Sequence, residues 1–157
     1  MNDVELRQYI LDTFKGTDVV VASDDSYLFY NPDPNVPPDH KFPFVTIVTS
    51  DMHDQVSNLN RPSVYRLNIG VSKQTFRSLF GLPERDSEDD TAENSDHQST
   101  YDYTALNQVM PHPVYGMMYW VCILNPAPET FDTKVLPLLT EAYDMAVSKY
   151  NKQAARN

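Results

Sequence analysis

From Phe131 to Tyr150 apolar side chains recur in steps of four and three: Phe131, Val135, Leu138, Leu139, Ala142, Tyr143, Ala146, Val147 and Tyr150. This is one wide greasy stripe on a helix. A helix gains most of its stability by laying such a stripe on another layer, so the chain must supply that layer. Pro137 interrupts the pattern because proline lacks a backbone donor; it is expected near the helix start or at a kink. The stretch MMYWVCIL (117–124) is apolar on both faces, the mark of a central strand covered on both sides or lying beneath a helix.

The rest of the chain offers the partners for these two elements. Residues 3–15 carry Leu6, Ile10 and Phe14 at helical spacing, with a capping box at Asn2 and Glu5 and a stop at Gly16. DVVVAS and SYLFY read as a hairpin turning at Asp24-Asp25. Residues 31–43 hold five prolines and read as a loop. FVTIVTS (44–50) and VYRLNIGVS (64–72) are strands; in the second, Tyr65, Leu67, Ile69 and Val71 share one face while Arg66 and Asn68 share the other. Ser72 caps a short helix ending at Gly81, and TALNQVM is expected to form a helical turn before Pro111. This order predicts an α+β fold, an antiparallel sheet with the N- and C-terminal helices packed on one face.

With 157 residues, 41% of them hydrophobic, residues 1–157 are expected to form a single domain around one core. The formal net charge is −10, and the segment from Glu84 to Asp96 holds seven acids and one arginine. Residues 82–100 therefore read as an exposed acidic loop, open to disorder. The sign of the charge disfavours a phosphate backbone or an anionic lipid surface, so nucleic acid is not expected as a partner. A lone cysteine, Cys122, excludes an internal disulfide and suits a reducing compartment. The N-terminus is charged and amphipathic, unlike a signal peptide, and no run is long enough for a membrane helix; a cytoplasmic protein is expected.

Several residues have the chemistry for a site. Asp51, His53 and Asp54 leave the end of a strand together, and carboxylate with imidazole is ligand chemistry, but their spacing matches no zinc or iron pattern, so no metal is assigned. Arg66 projects from the polar face of its strand; it either grips an anionic ligand or pairs with Asp51 or Asp54. His112 lies between Pro111 and Pro113, either as a ligand or as a turn residue whose imidazole bonds nearby backbone. Tyr115 follows within the same aromatic-rich run. Tyr101 and Tyr103 flank the acidic loop. With four glycines there is no phosphate-cradling loop, there is no nucleophile elbow, and Cys122 lies mid-strand where thiols are inert; no cofactor is expected.

FPFVTIVTSD, SNLNRPSVYRLNIGVSKQTFRSLFG, MPHPVYGMMYWVCILNP and TFDTKVLPLLTEAY together resemble a bacterial family defined as a domain of unknown function. More distantly, the second half is similar to MmcQ/YjbR-like proteins. That resemblance implies an antiparallel sheet backed by helices, and it brings a suggestion of DNA binding that the acidic charge opposes. The function expected from the residues is a non-catalytic binding or interaction module for a protein or small-molecule partner, working as a monomer or homodimer. The alternative is a small-molecule or metal-assisted enzyme with its site near Asp51, His53, Arg66 and His112.

Overall fold

A computed structural model describes residues 1–33, 42–81 and 101–155. The acidic loop expected at 82–100 and most of the proline-rich loop lie outside the described residues, as does His40. The elements are α1 (Asp3–Thr13), β1 (Thr17–Ala22), β2 (Asp25–Tyr30), β3 (Val45–Val48), β4 (Arg66–Gly70), α2 (Lys73–Phe80), β5 (Met110–Pro111), β6 (Trp120–Leu124), a short helical turn α3 (Pro128–Thr130) and α4 (Leu136–Ala155). The six strands form one antiparallel sheet in the order β1-β2-β3-β4-β6-β5. The fold is α+β, as the element order implied.

All three longer helices pack on one face of the sheet. Leu28, Val45, Ile47, Leu67, Ile69, Val121 and Ile123 rise from that face to meet Leu6 and Ile10 of α1, Phe76 of α2, and Leu139 and Ala142 of α4. The apolar stripe of the C-terminal helix is thus the lid of the main core, and α4 crosses β2 and β4. Pro137 sits in the first turn of α4. Just before it, Phe131–Val135 forms a π-turn in which the Leu136 amide reaches back to Phe131. The wider turn absorbs the missing proline donor without ending the helix. Ser72 and Gly81 cap α2 at its two ends, and Asn2 with Glu5 forms the capping box of α1, as their residue types dictate.

Three expectations shift. The hairpin turns at Ser23-Asp24, both with positive φ, so Asp25 begins β2 instead of closing the turn. A two-residue loop with both residues left-handed matches the twist of the strands it joins, and serine and aspartate accept that strain here. The strand expected over 117–124 starts only at Trp120, because Gly116–Met118 forms a 3-10 turn and Tyr119 is left-handed at φ 66°. TALNQVM is not helical; its last residue, Met110, and the following Pro111 pair with β6 as a sixth strand. Pairing along β6 satisfies backbone groups that a single helical turn would leave open.

The second face of the sheet is covered only in part. Val48, Leu59, Met110, Cys122 and Leu124 form a smaller core there, with Val64, Tyr101 and Tyr103 packed against it. β6 is therefore buried on both faces, as its composition predicts. Nearer β2 the same face lies beneath a cleft.

Candidate functional site

The floor of the cleft is set by strand register. Tyr27 of β2, Thr46 of β3, Asn68 of β4 and Cys122 of β6 stand in one cross-strand row. Because side chains alternate along a strand, Asp25 and Arg66, two positions away from Tyr27 and Asn68, point to the same side. The cavity holds about 430 Å³ and is bounded by Tyr27, Thr46, Val48, Arg66 and Asn68 below, His53 and Asp54 on one wall, and His112, Val114 and Tyr115 on the other. Phe42, Met118 and Trp120 shape its mouth. Gly70 pairs with Trp120 across β4 and β6, and a Cβ on Gly70 would come within 3.1 Å of the indole, so a larger residue there would press the ring a few tenths of an ångström off the strand.

Arg66 is almost wholly buried and almost wholly used. Nη1 and Nη2 donate to Oδ1 and Oδ2 of Asp54 at 3.0 and 2.7 Å, Nη1 also donates to Ser57 Oγ at 2.9 Å, and Nε donates to Asn68 Oδ1 at 3.1 Å. Four of the five guanidinium hydrogens therefore have acceptors within the protein. Burial pushes the Asp54 carboxyl up, yet the hydrogen bonds and charge of Arg66 outweigh it and hold the group below the usual carboxylate range. Asn68 in turn donates from Nδ2 to Thr46 Oγ1 at 3.0 Å.

His112 is held by its own turn. Nδ1 accepts the backbone N–H groups of Val114 and Tyr115, both at 3.0 Å, and the two rings of His112 and Tyr115 sit 5.0 Å apart. A nitrogen that accepts two amides carries no hydrogen, so the hydrogen is on Nε2. Burial, reinforced by the Arg66 charge and opposed by Asp54, pushes the imidazole down to about 3. The ring is therefore neutral at physiological pH, with one fixed N–H donor. The turn role considered for this residue and its place on a cavity wall coexist.

His53 reaches across to β2. Its Nε2 lies 2.9 Å from Oδ2 of the fully buried Asp25 and 3.1 Å from the Tyr27 hydroxyl. The other Asp25 oxygen accepts the Thr49 amide at 2.9 Å, which fixes the start of the loop that carries His53. Burial, and next the Asp25 charge, push the Tyr27 phenol up, so it stays protonated. Cys122, in the floor row but fully buried, is pushed up to about 12 by burial and is no nucleophile.

Of the residues singled out from sequence, His53, Asp54, Arg66, His112 and Tyr115 meet at this cavity. Asp51 does not: its Oδ1 accepts the Leu59 amide at 2.8 Å and closes the loop from within. Arg61, on the same loop, is also structural: it donates to the backbone oxygens of Ser57, Asn58 and Thr104. Asp25, Tyr27, Thr46, Phe42, Met118 and Trp120 were not anticipated. Asp25 and Tyr27 were within reach of the two-residue hairpin rule, which would have put both on one face of β2. Phe42 and Met118 carried no local signal. Among the described residues no three His, Cys, Asp or Glu side chains converge as a metal-ion set.

A family model described as a family of unknown function, DUF6194, matches residues 1–155. No curated protein and no solved structure matches the chain.

Proposed function

The chain belongs to the DUF6194 family of unknown function, and from that premise we propose that it is a non-catalytic binding module that holds a small amphipathic molecule in the cleft above β2, β3, β4 and β6. The observation that carries the reading is the pairing of a polar floor with an apolar mouth. Neutral donors and acceptors on His112, Asn68, Thr46 and Tyr27 line the interior, while Phe42 and Met118 stand 85% and 66% exposed at the rim. Exposed large apolar groups beside a cavity of this size are what small-molecule sites offer before they are filled. The acidic charge argues against nucleic acid as the partner. Among the described residues no helix is long and apolar enough to cross a membrane, and a cytoplasmic setting suits the single buried cysteine. Monomer and homodimer are both compatible with a cleft built from one chain.

A small-molecule enzyme is the second reading, favoured by the contact of His53 with Asp25 and Tyr27. A carboxylate oxygen is an acceptor, so the hydrogen of His53 Nε2 points to Asp25, and the base of such an enzyme would have to be His53 Nδ1.

Trp120 is the only tryptophan, which gives the cleft its own reporter. Titration of ¹⁵N-labelled protein with small aromatic and aliphatic amides, ketones, acids and amines should move the Trp120 indole signal saturably for at least one compound. A panel that leaves the indole signal still at millimolar concentration sinks the binding reading. Recovery of the bound compound unchanged keeps the module non-catalytic; conversion lost in His53→Gln moves the assignment to the enzyme.

A further inference from the structure

We propose that the ligand of the cleft is an uncharged molecule that presents a carbonyl-type hydrogen-bond acceptor to His112 Nε2–H and Asn68 Nδ2–H and an apolar body to Trp120 and Met118. This rests on the reading of the cleft as a ligand site and adds the chemical class of what enters it.

Charge decides which class of ligand the cleft can take. An arginine at the floor of a cavity ordinarily marks an anion site, because its fork matches a carboxylate or phosphate. Here the fork is already closed on Asp54, and the pair is internal to the protein, with side-chain exposures of 2% for Arg66 and 11% for Asp54. A ligand anion would have to displace Asp54, which gains no bond that the protein lacks, or sit against the Asp54 charge with a single Nη2 hydrogen of Arg66 to accept from. The second carboxylate, Asp25, is equally engaged: one oxygen takes the Thr49 amide and the other faces His53, with no exposure to solvent. A ligand cation therefore finds no open carboxylate. Bringing either ion into the cavity costs its hydration without an open counter-charge.

What the cavity otherwise offers is neutral. His112 spends Nδ1 on its own turn, which leaves Nε2–H as its donor to any occupant. Asn68 spends one amide hydrogen on Thr46 and has a second. Thr46 accepts from Asn68, so its own hydroxyl hydrogen is free to turn. A group of donors with both ionic pairs closed on themselves is complementary to a carbonyl oxygen. A site built this way rejects a charged isostere more strongly than it rejects a change of size.

Three compounds of nearly one shape separate the possibilities: benzamide, benzoate and benzamidinium, each titrated into the full chain with the Trp120 indole signal as readout. Benzamide should bind about tenfold or more tightly than either ion. Asp54→Asn keeps an oxygen for Arg66 but removes the compensating charge, and should raise the affinity for benzoate relative to benzamide by about tenfold or more. Benzoate or benzamidinium binding as well as benzamide to the unaltered protein overturns this inference and leaves the cleft a ligand site. An unmoved benzoate-to-benzamide ratio in Asp54→Asn also overturns it, since the closed ion pair would then not be what excludes anions. No saturable shift with any of the three, while other compounds of the wider panel do bind, overturns the carbonyl assignment alone; no shift with any compound removes the cleft and this inference together.

Discussion

Arg66 and Asp54 meet side by side, two nitrogens to two oxygens at 3.0 and 2.7 Å, beneath a cavity that neither charge faces unpaired. The geometry is the two-pronged pairing that only arginine makes with a carboxylate. It joins β4 to the loop after β3, and through Asn68 and Thr46 it is tied to the row of residues that floors the cleft. The pair therefore both holds the loop and sets the electrostatic character of the site.

Removing one partner should be worse than removing both. Asp54→Ala leaves a buried guanidinium without its counter-charge and should cost about 3 kcal/mol. The double variant Asp54→Ala, Arg66→Met replaces the pair with apolar volume and should recover a good part of that loss. Urea denaturation of the two variants beside the parent protein checks this. Equal losses would mean that the charge of Arg66 has found another partner.

Acid should loosen the fold in a defined order. His112 has a folded value of about 3 against the usual 6.5, so the unfolded chain takes up that proton first. Stability is then full above about 6.5 and falls as pH drops toward 3, by at most about 1.4 kcal/mol per pH unit from this group. Asp54 adds a second loss at lower pH: its folded value lies below the usual 3.8, so its contribution is present above 3.8 and disappears as pH falls through the folded value. The direct check is the histidine ¹⁵N spectrum between pH 8 and 5. His112 should show an unprotonated Nδ1 and a protonated Nε2 throughout; a ring that titrates in that range contradicts the two-amide cap.

Cys122 should be silent in the folded protein. It is fully buried in β6, its thiol is pushed up to about 12, and the sulfur faces the Pro111 carbonyl at 3.8 Å. Intact mass after iodoacetamide at pH 8 should show no adduct in buffer and a single adduct in concentrated urea. Labelling in buffer at a rate near that of the urea sample would show that β6 opens readily.

Glu141 of α4 caps α2 from a distance. Its two carboxylate oxygens accept the Ser72 amide at 2.9 Å and the Thr75 hydroxyl at 2.6 Å. Glu141→Ala should cost about 1–2 kcal/mol, the value of a helix cap with its hydrogen bonds. Ser72→Ala should cost a similar amount, and the two losses should not add, because both serve the same helix end. Additive losses measured by denaturation would show that they act separately.

Helix and strand identity was written locally. The steps of four and three in α4, the alternation in β4 and the capping box at Asn2 each follow from side chains within a few positions of one another. Even the two faces of β6 could be read, since a run that is apolar in both phases has to be covered twice. The limits of β6 were not legible, because Tyr119 turns left-handed only where the 3-10 turn of Gly116–Met118 packs it against Phe76. That contact joins segments more than forty positions apart.

For the site the division is similar. The sequence alone named His53, Arg66, His112 and Tyr115 as chemically able groups and set both alternatives for Arg66. Only the tertiary structure chose Asp54 over Asp51 as its partner, turned Asp51 inward to Leu59, and brought the buried Asp25 of a different strand to His53. The physical reason is reach: backbone periodicity is decided by neighbours along the chain, whereas which charge meets which is decided by strand register and by where a loop lands, and those are settled by burial across the whole sheet.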